Sequence, residues 1–192
     1  MKYVKLILTL LLFSGALIGF AQKQEAGIYF KDGTELTGLI RLTKNDEIKY
    51  FSSEKSKFVK YLNKDIKHVK IYEEKNVKHL FSVQIVNGGG NKLLEKIVKG
   101  KVTLYKKVLR NYGLGNNHTR GMVFNDDIYN KYYVKKENEN EATIIGIDAI
   151  NIKKAKKYFS DCKIFLNKLK DRKFKKQNIS KIIEFYNKEC LN

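Results

Sequence analysis

The sequence predicts an α+β protein, in which an antiparallel β region over residues 22–150 precedes a two-helix hairpin over residues 151–192. From about residue 26 to 108, apolar residues recur at every second position, which is typical of half-buried strands. Beyond residue 151 they recur at three- and four-residue steps, which indicates amphipathic helices. A separate apolar segment at the N-terminus has the layout of a secretory signal peptide.

Residues 1–21 predict export. Two lysines precede an apolar run over residues 6–20, and small residues stand before Gln22, so we expect cleavage between Ala21 and Gln22. The run makes about 22 Å of helix, which is short for about 30 Å of bilayer hydrocarbon. No Cys follows the small residues, so lipidation has no acceptor. The sequence therefore predicts a non-lipidated periplasmic or secreted protein with no stable transmembrane span.

Turn signals divide the β region into short strands. Asp32 and Gly33 stand between two apolar runs, which indicates a hairpin in which glycine adopts positive φ. A second glycine-rich turn follows at residues 87–91. The predicted strands cover residues 27–30, 36–42, 48–51, 58–61, 66–72, 80–86, 93–98, 101–108, 129–135 and 142–147. Whether this sheet closes into a barrel-like form stays open from the pattern alone.

Residues 111–127 interrupt the strand pattern with three glycines and several asparagines, and we expect a flexible surface loop there. The helical part then carries its apolar residues on one stripe of each helix, with most lysines outside it. Asn178 is expected to cap the second helix. The stripe residues are Ala155, Tyr158, Phe159, Cys162, Phe165, Leu166 and Leu169, followed by Ile179, Ile182, Ile183, Tyr186 and Cys190.

The two cysteines predict a structural disulfide. Cys162 and Cys190 lie on the two apolar stripes, which an antiparallel hairpin brings face to face. Export to an oxidising compartment and a paired count favour a bond between them. The alternative is two buried thiols that pack as small apolar groups. A redox-active pair is disfavoured because the C-x-x-C spacing is absent.

The chain is strongly basic, with 39 Lys+Arg against 20 Asp+Glu and a formal charge of +19, or +17 once the two lysines of residues 1–21 are removed. Such a charge attracts nucleic acid, anionic lipid, lipopolysaccharide and acidic polymers. Bidentate recognition of phosphate or guanine favours Arg, but all except four of the basic residues are Lys. The charge is therefore weak evidence for any specific partner, and the composition also fits an AT-rich genome.

The sequence predicts no catalytic, cofactor-binding or metal-ligating residue. His68, His79 and His118 lack metal-ligand spacing. The GGGNK segment at residues 88–92 does not match a phosphate-binding loop, and no G-x-S-x-G occurs.

Two alternatives remain open. One is an enzyme with a dispersed site near residues 111–136, where tyrosines could converge with His118 and with Asp126 or Asp127. The other is a nucleic-acid binder that uses lysines and aromatic rings on one face. Its tyrosines would be Tyr105, Tyr112, Tyr129, Tyr132 and Tyr133, with Lys106, Lys107, Lys131, Lys135 and Lys136 between them.

Several segments resemble a family of small exported proteins of unknown function from Bacteroidota-like Gram-negative bacteria. They are GIYFKDGTE at residues 27–35 with Gly38, LLEKIVKGKVTLY at 93–105, YYVK at 132–135, KYFSDC at 157–162 and FYNKEC at 185–190. Family members often carry Pro after the first helical Cys, where this sequence has Lys163. The resemblance implies an envelope location and a conserved architecture, and it implies no activity. Residues 32–38 also look like the first hairpin of small SH3-like or Sm-like barrels.

These observations predict an exported, non-enzymatic module that acts in the periplasm or at the envelope surface. The Lys-rich face of the helical hairpin is its candidate contact with anionic envelope components, since residues 151–192 carry 13 Lys+Arg against four Asp+Glu. Such binding should weaken steeply as salt is added.

Overall fold

The computed structural model describes residues 23–43, 45–117 and 121–190, so the predicted signal segment and the Ala21–Gln22 cleavage site lie outside it. Within these ranges the chain forms strands and then helices. The strands are β1 (Gln24–Phe30), β2 (Glu35–Leu42), β3 (Ile48–Phe51), β4 (Val59–Tyr61), β5 (Ile66–Glu73), β6 (Asn76–Val86), β7 (Gly90–Val98), β8 (Val102–Asn117), β9 (Gly121–Lys136), β10 (Glu141–Ile147) and β11 (Ala149–Ile150). The helices are α1 (Ile152–Tyr158), α2 (Lys163–Lys168), α3 (Arg172–Lys175) and α4 (Ile179–Glu189).

The strands form one sheet in the order β11-β10-β9-β8-β7-β6-β5-β1-β2-β3-β4, and all neighbours in this order pair antiparallel. One additional pairing is parallel, with Glu141 and Ala142 of β10 opposite Ile85 and Val86 of β6. It joins β6 to β10 into a ring within an otherwise open sheet. The predicted α+β class with an antiparallel β region is confirmed, and the sheet is partly ring-like.

The first predicted hairpin turn is confirmed, because it lies between β1 and β2. Gly33 has a φ of 92°, a conformation that glycine adopts without steric cost. The Asp32 carboxylate accepts the Thr34 backbone N–H at 2.9 Å and the Thr34 hydroxyl at 2.7 Å. These hydrogen bonds lower the pKa of Asp32, because they stabilise its charged form. The Asp and Gly therefore act together to reverse the chain.

Consecutive residues of the ring strands point into different cores. Leu104 and Val134 pack with the helices, whereas Tyr105 and Tyr133, their chain neighbours, pack on the opposite face. The core on that opposite face contains one residue from each strand of the ring, namely Val86, Leu94, Tyr105, Tyr133 and Ala142. A third core lies under β1, β2, β3 and β5 and also includes Leu93 of β7. The alternation within single strands thus builds both faces of the ring.

Most of the apolar stripe of the first predicted helix is confirmed as core, although Leu166 is half-buried and outside the core cluster. Its backbone is divided into α1 and α2, and the short α3 follows before the second predicted helix. New helices begin where a side chain accepts a backbone N–H. Cys162 Sγ accepts the N–H of Phe165 at 3.4 Å, and the Asp171 carboxylate accepts that of Lys173 at 2.8 Å. The second predicted helix is α4, which Asn178 caps as expected by accepting the Ser180 N–H at 2.9 Å.

The predicted disulfide is present. Cys162 and Cys190 are bonded, with their Cα atoms 5.5 Å apart, across a sequence separation of 28 residues. The bond joins the start of α2 to the end of α4, and both cysteines contact the core between helices and sheet. It therefore links the first and last parts of the helical region.

The helices are also attached to the sheet through polar contacts. The Asn187 side chain of α4 accepts the Val102 N–H at 2.9 Å and donates to the Val102 carbonyl at 2.8 Å. A Cβ at Gly100 would lie 2.4 Å from Asn187 Nδ2, so glycine at this position makes room for the amide. Val102, the first residue of β8, thus lies opposite Lys136 of β9 and is also hydrogen-bonded by the Asn187 side chain of α4.

The prediction of a surface loop at residues 111–127 is wrong, because these residues belong mainly to β8 and β9. Their register runs from Val102 opposite Lys136 to Asn117 opposite Gly121. Glycine and asparagine weaken a strand without forbidding it, and the backbone ladder of a long hairpin can continue through them. In the part of the chain that the structure describes, β8 pairs only with β9 beyond Lys106. The expected loop is therefore a two-stranded ribbon.

Candidate functional site

A lysine-rich surface of the helical region is built on α1, whose sequence is IKKAKKY. Asn151 caps this helix by accepting the Lys154 N–H at 3.0 Å. Ala155 faces the core and is fully buried, so the four lysines around it are left exposed. At about 100° per residue, Lys154 and Lys157 lie on one side of the helix and Lys156 on the other. Three of the four lysines of α1 thus line two separate depressions.

The first depression lies between α1 and α2 and has a volume of about 390 Å³. Its lining contains three lysines at seven-residue intervals, together with Leu166 and Asn167, and no carboxylate; these lysines are Lys156, Lys163 and Lys170. Lys170 Nζ donates to Asn167 Oδ1 at 3.0 Å. Within the described ranges, Lys156 and Lys163 form no ion pair. We call this depression the lysine groove.

The second depression lies on the other side of α1 and has a volume of about 560 Å³. Its lining residues are Asn87, Thr143, Ile144, Lys154, Lys157 and Tyr158. It therefore combines two lysines with two neutral polar side chains and two apolar or aromatic ones, again without a carboxylate. We call it the α1–β10 pocket.

One wall of the α1–β10 pocket is fixed by a hydrogen-bond network. The Tyr158 hydroxyl donates to the Glu139 carboxylate and accepts the Lys136 N–H at 3.0 Å. Burial, reinforced by the hydrogen bond to Glu139, raises the pKa of Tyr158. In the same network the Asp161 carboxylate accepts from Lys136 Nζ and from the Tyr186 hydroxyl, each at 2.8 Å. These contacts hold α1 and α4 against the end of β9.

Acid is expected to weaken this network through Asp161. Burial opposes the charge of Asp161, but hydrogen bonds from Lys136 and Tyr186 outweigh burial and hold its pKa below the ordinary 3.8. Such a group stabilises the folded state above its unfolded pKa, and the stabilisation is lost as pH falls through the folded value. Because the Asp161 side chain is 49% exposed and solvent screens its contacts, Asp161→Asn should lower the free energy of unfolding by no more than about 1 kcal/mol at pH 7. It should also flatten the fall of that free energy below about pH 4. Urea denaturation at several pH values measures this, and parallel pH profiles for the two proteins would contradict it.

A third depression, of about 260 Å³, lies where the β2–β3 turn meets β6, β7 and β8. Its charges are paired: Lys107 with Asp46 at 2.5 Å, and Glu95 with both His79 at 2.5 Å and Lys106 at 3.0 Å. The remaining lining is largely apolar. Because the opposite charges neutralise one another, this cleft offers an ionic ligand less free charge than the lysine groove.

The described side chains near residues 111–136 do not form the cluster of catalytic groups that the enzyme alternative requires. His118 lies outside the described residues, and Asp126 and Asp127 are described only by their backbone register opposite Tyr112 and Asn111. The third depression, in which the charges are paired, borders β8 as far as Leu109, and its described lining includes a single hydroxyl, that of Thr43. This hydroxyl accepts the Glu47 N–H at 3.2 Å and so supports a turn.

The tyrosines considered for nucleic-acid stacking do not share one exposed face. Tyr105 and Tyr133 are 5% and 4% exposed, and burial raises the pKa of both. Tyr132 packs against the core between helices and sheet. Stacking on bases needs accessible ring faces, which Tyr105 and Tyr133 do not offer.

The described histidines are held in strands. His68 stacks on Tyr29 with ring centroids 4.3 Å apart, and burial, followed by the charges of Lys70 and Lys67, lowers its pKa. His79 contacts Glu95, a partnership that the sequence spacing did not reveal. Among the described residues, no group of three or more His, Cys, Asp or Glu side chains could hold a metal ion.

Comparisons of the chain with known proteins found no relative, since no family model, no curated protein and no solved structure matches it. In the described ranges, no helix has the length and apolarity that a membrane crossing requires.

Proposed function

We propose that the protein is an exported, non-enzymatic module of the bacterial envelope that binds an anionic envelope component through the lysine groove. The proposal places it in the periplasm or outside the cell, without a lipid anchor. The resemblance to small exported proteins of Gram-negative bacteria supports this location, as does the signal-like pattern of residues 1–21. A structural disulfide suits an oxidising compartment.

The lysine groove is the observation that carries the proposal. Its lining contains three lysines and no carboxylate, and the apolar residue in the lining is the half-buried Leu166. Unpaired ammonium groups that share a concave surface repel one another and attract anions. Lys offers a compact, hydrated point charge, so such a groove suits a flexible polymer with spaced negative charges better than one planar group.

Removing two charges from the groove is expected to weaken polyanion binding. The double variant Lys156→Gln/Lys163→Gln should bind polyglutamate at least about tenfold more weakly than the native chain at 50 mM NaCl. Isothermal titration measures the affinity. Polyglutamate is a suitable probe because it carries regularly spaced carboxylates and neither sugar rings nor phosphate groups.

A matched control separates the groove from the overall charge. Lys153→Gln/Lys181→Gln also removes two exposed lysines, but neither lines the groove. This control should keep most of the native affinity, and native binding should fall steeply towards 500 mM NaCl. Equal losses in the two double variants, or binding that salt does not change, would overturn the proposal.

A further inference from the structure

We infer that the α1–β10 pocket binds a sugar ring that carries an acidic group, so that the anionic partner is an acidic carbohydrate. This inference rests on the proposed function, because the pocket and the lysine groove lie on either side of the same helix. It adds a chemical class to that function. The polar, apolar and spatial features of the pocket each contribute to it.

The charged part of the pocket selects an anion. Lys154 and Lys157 both belong to α1 and are exposed. An ammonium group only donates hydrogen bonds, so its natural ligand is a carboxylate or phosphate oxygen. Neither lysine forms an ion pair within the described residues, and the pocket lining contains no Asp or Glu. A bound anion would therefore not have to displace an existing partner.

The neutral polar part of the pocket suits hydroxyl groups. The Asn87 amide and the Thr143 hydroxyl can each donate and accept, which is what the hydroxyls of a sugar require. Both residues lie beside the parallel contact of β6 with β10, where the Asn87 N–H donates to the Ala142 carbonyl at 3.1 Å. That bond uses the Asn87 backbone. Within the described part of the chain, neither side chain is engaged in a hydrogen bond.

The remaining wall is suited to the C–H face of a sugar. Ile144 and Tyr158 are half-buried, so each presents part of its apolar surface to the pocket. The Tyr158 hydroxyl is held by Glu139 and by the Lys136 N–H, which fixes the ring without using the pocket's polar groups. A wall that is already ordered loses little conformational entropy when a ligand binds.

The size and place of the pocket fit one unit of a chain. Its volume of about 560 Å³ falls within the range of about 300–1,000 Å³ that is usual for small-molecule sites. The lysine groove begins on the opposite side of α1, at Lys156. One acidic sugar in the pocket would therefore leave its neighbours in a polymer free to reach the groove.

The test compares polymers that differ in one property each. Polygalacturonate carries carboxylates on sugar rings, polyglutamate carries carboxylates without rings, and dextran carries rings without charge. In titrations at 100 mM NaCl, the native chain should bind polygalacturonate at least about fivefold more tightly than polyglutamate, matched for charge, and should not bind dextran. Galacturonate or glucose 6-phosphate should compete for the site, whereas galactose, acetate and inorganic phosphate at the same concentration should not. The stronger competitor identifies the acidic group.

Two double variants test whether the α1–β10 pocket causes the preference for polygalacturonate over polyglutamate. Asn87→Ala/Thr143→Val should remove the preference for polygalacturonate and leave polyglutamate binding unchanged. The matched control is Asn45→Ala/Thr37→Val, which alters two exposed residues outside the lining. Equal binding of the two acidic polymers, or an unchanged preference in the pocket variant, would overturn the sugar inference and leave the proposed function standing. Failure of both acidic polymers to bind would overturn the proposed function as well.

Discussion

Phe159→Ala is expected to lower the free energy of unfolding by about 3–5 kcal/mol, because it removes a fully buried aromatic ring and leaves a cavity. Phe159 follows α1 and is 0% exposed. Its ring centroid lies 4.8 Å from that of Phe165 and 4.4 Å from that of Tyr186. These contacts join α1, α2 and α4, so the loss should affect the whole helical region.

Urea denaturation of the native and variant proteins measures this effect. Ile164→Ala is the matched control, because it also truncates a large apolar residue of the helical region, but one that is 57% exposed. The control should change stability by no more than about 0.5 kcal/mol. If Phe159→Ala were as mild as the control, the aromatic cluster would not be the core of this region.

Removal of the disulfide is the second large effect. Cys162→Ser/Cys190→Ser should lower the free energy of unfolding by about 3–4 kcal/mol, since the bond closes a loop of intermediate length and restricts the unfolded chain. Serine at position 162 can still accept the Phe165 N–H, as Cys162 Sγ does, so the cap of α2 is retained. The change therefore isolates the cross-link from the cap.

Denaturation with and without dithiothreitol measures the contribution of the bond. The native chain should lose stability when reduced and then match the double Ser variant, which should not respond to the reductant. Equal stability of the oxidised native chain and the variant would contradict a stabilising role for the bond.

Local patterns predicted most of the elements. The Asp32–Gly33 turn and most of the buried stripe from Ala155 to Leu169 depend on neighbours in sequence, and both are confirmed, although the helix that carries the stripe is divided after Tyr158. The loop expected at residues 111–127 was wrong because glycine and asparagine favour turns locally, whereas a ladder of paired backbone groups extends the hairpin. Local composition cannot show that ladder.

Long-range pairing explains what the sequence could not predict about the site. The lysines of α1 and α2 could be assigned to an exposed face from helical period alone. Asn87 and Thr143 could not be assigned to a common site from the sequence, because they lie more than 50 positions apart in the chain. The parallel pairing of Val86 with Ala142 brings them together. The same pairing helps to close the ring in which Tyr105 and Tyr133 become buried. Register between distant strands leaves no short-range signal.

Salt extraction from the native envelope tests the central proposal most directly. Cells that produce the chain would be fractionated, and the envelope fraction washed with increasing NaCl while the released protein is quantified. The proposal predicts that the chain starts at Gln22, stays with the envelope at low salt and is released as salt rises, with Lys156→Gln/Lys163→Gln released earlier than Lys153→Gln/Lys181→Gln. An uncleaved chain in the cytoplasm, or release that is the same for both variants, would contradict it.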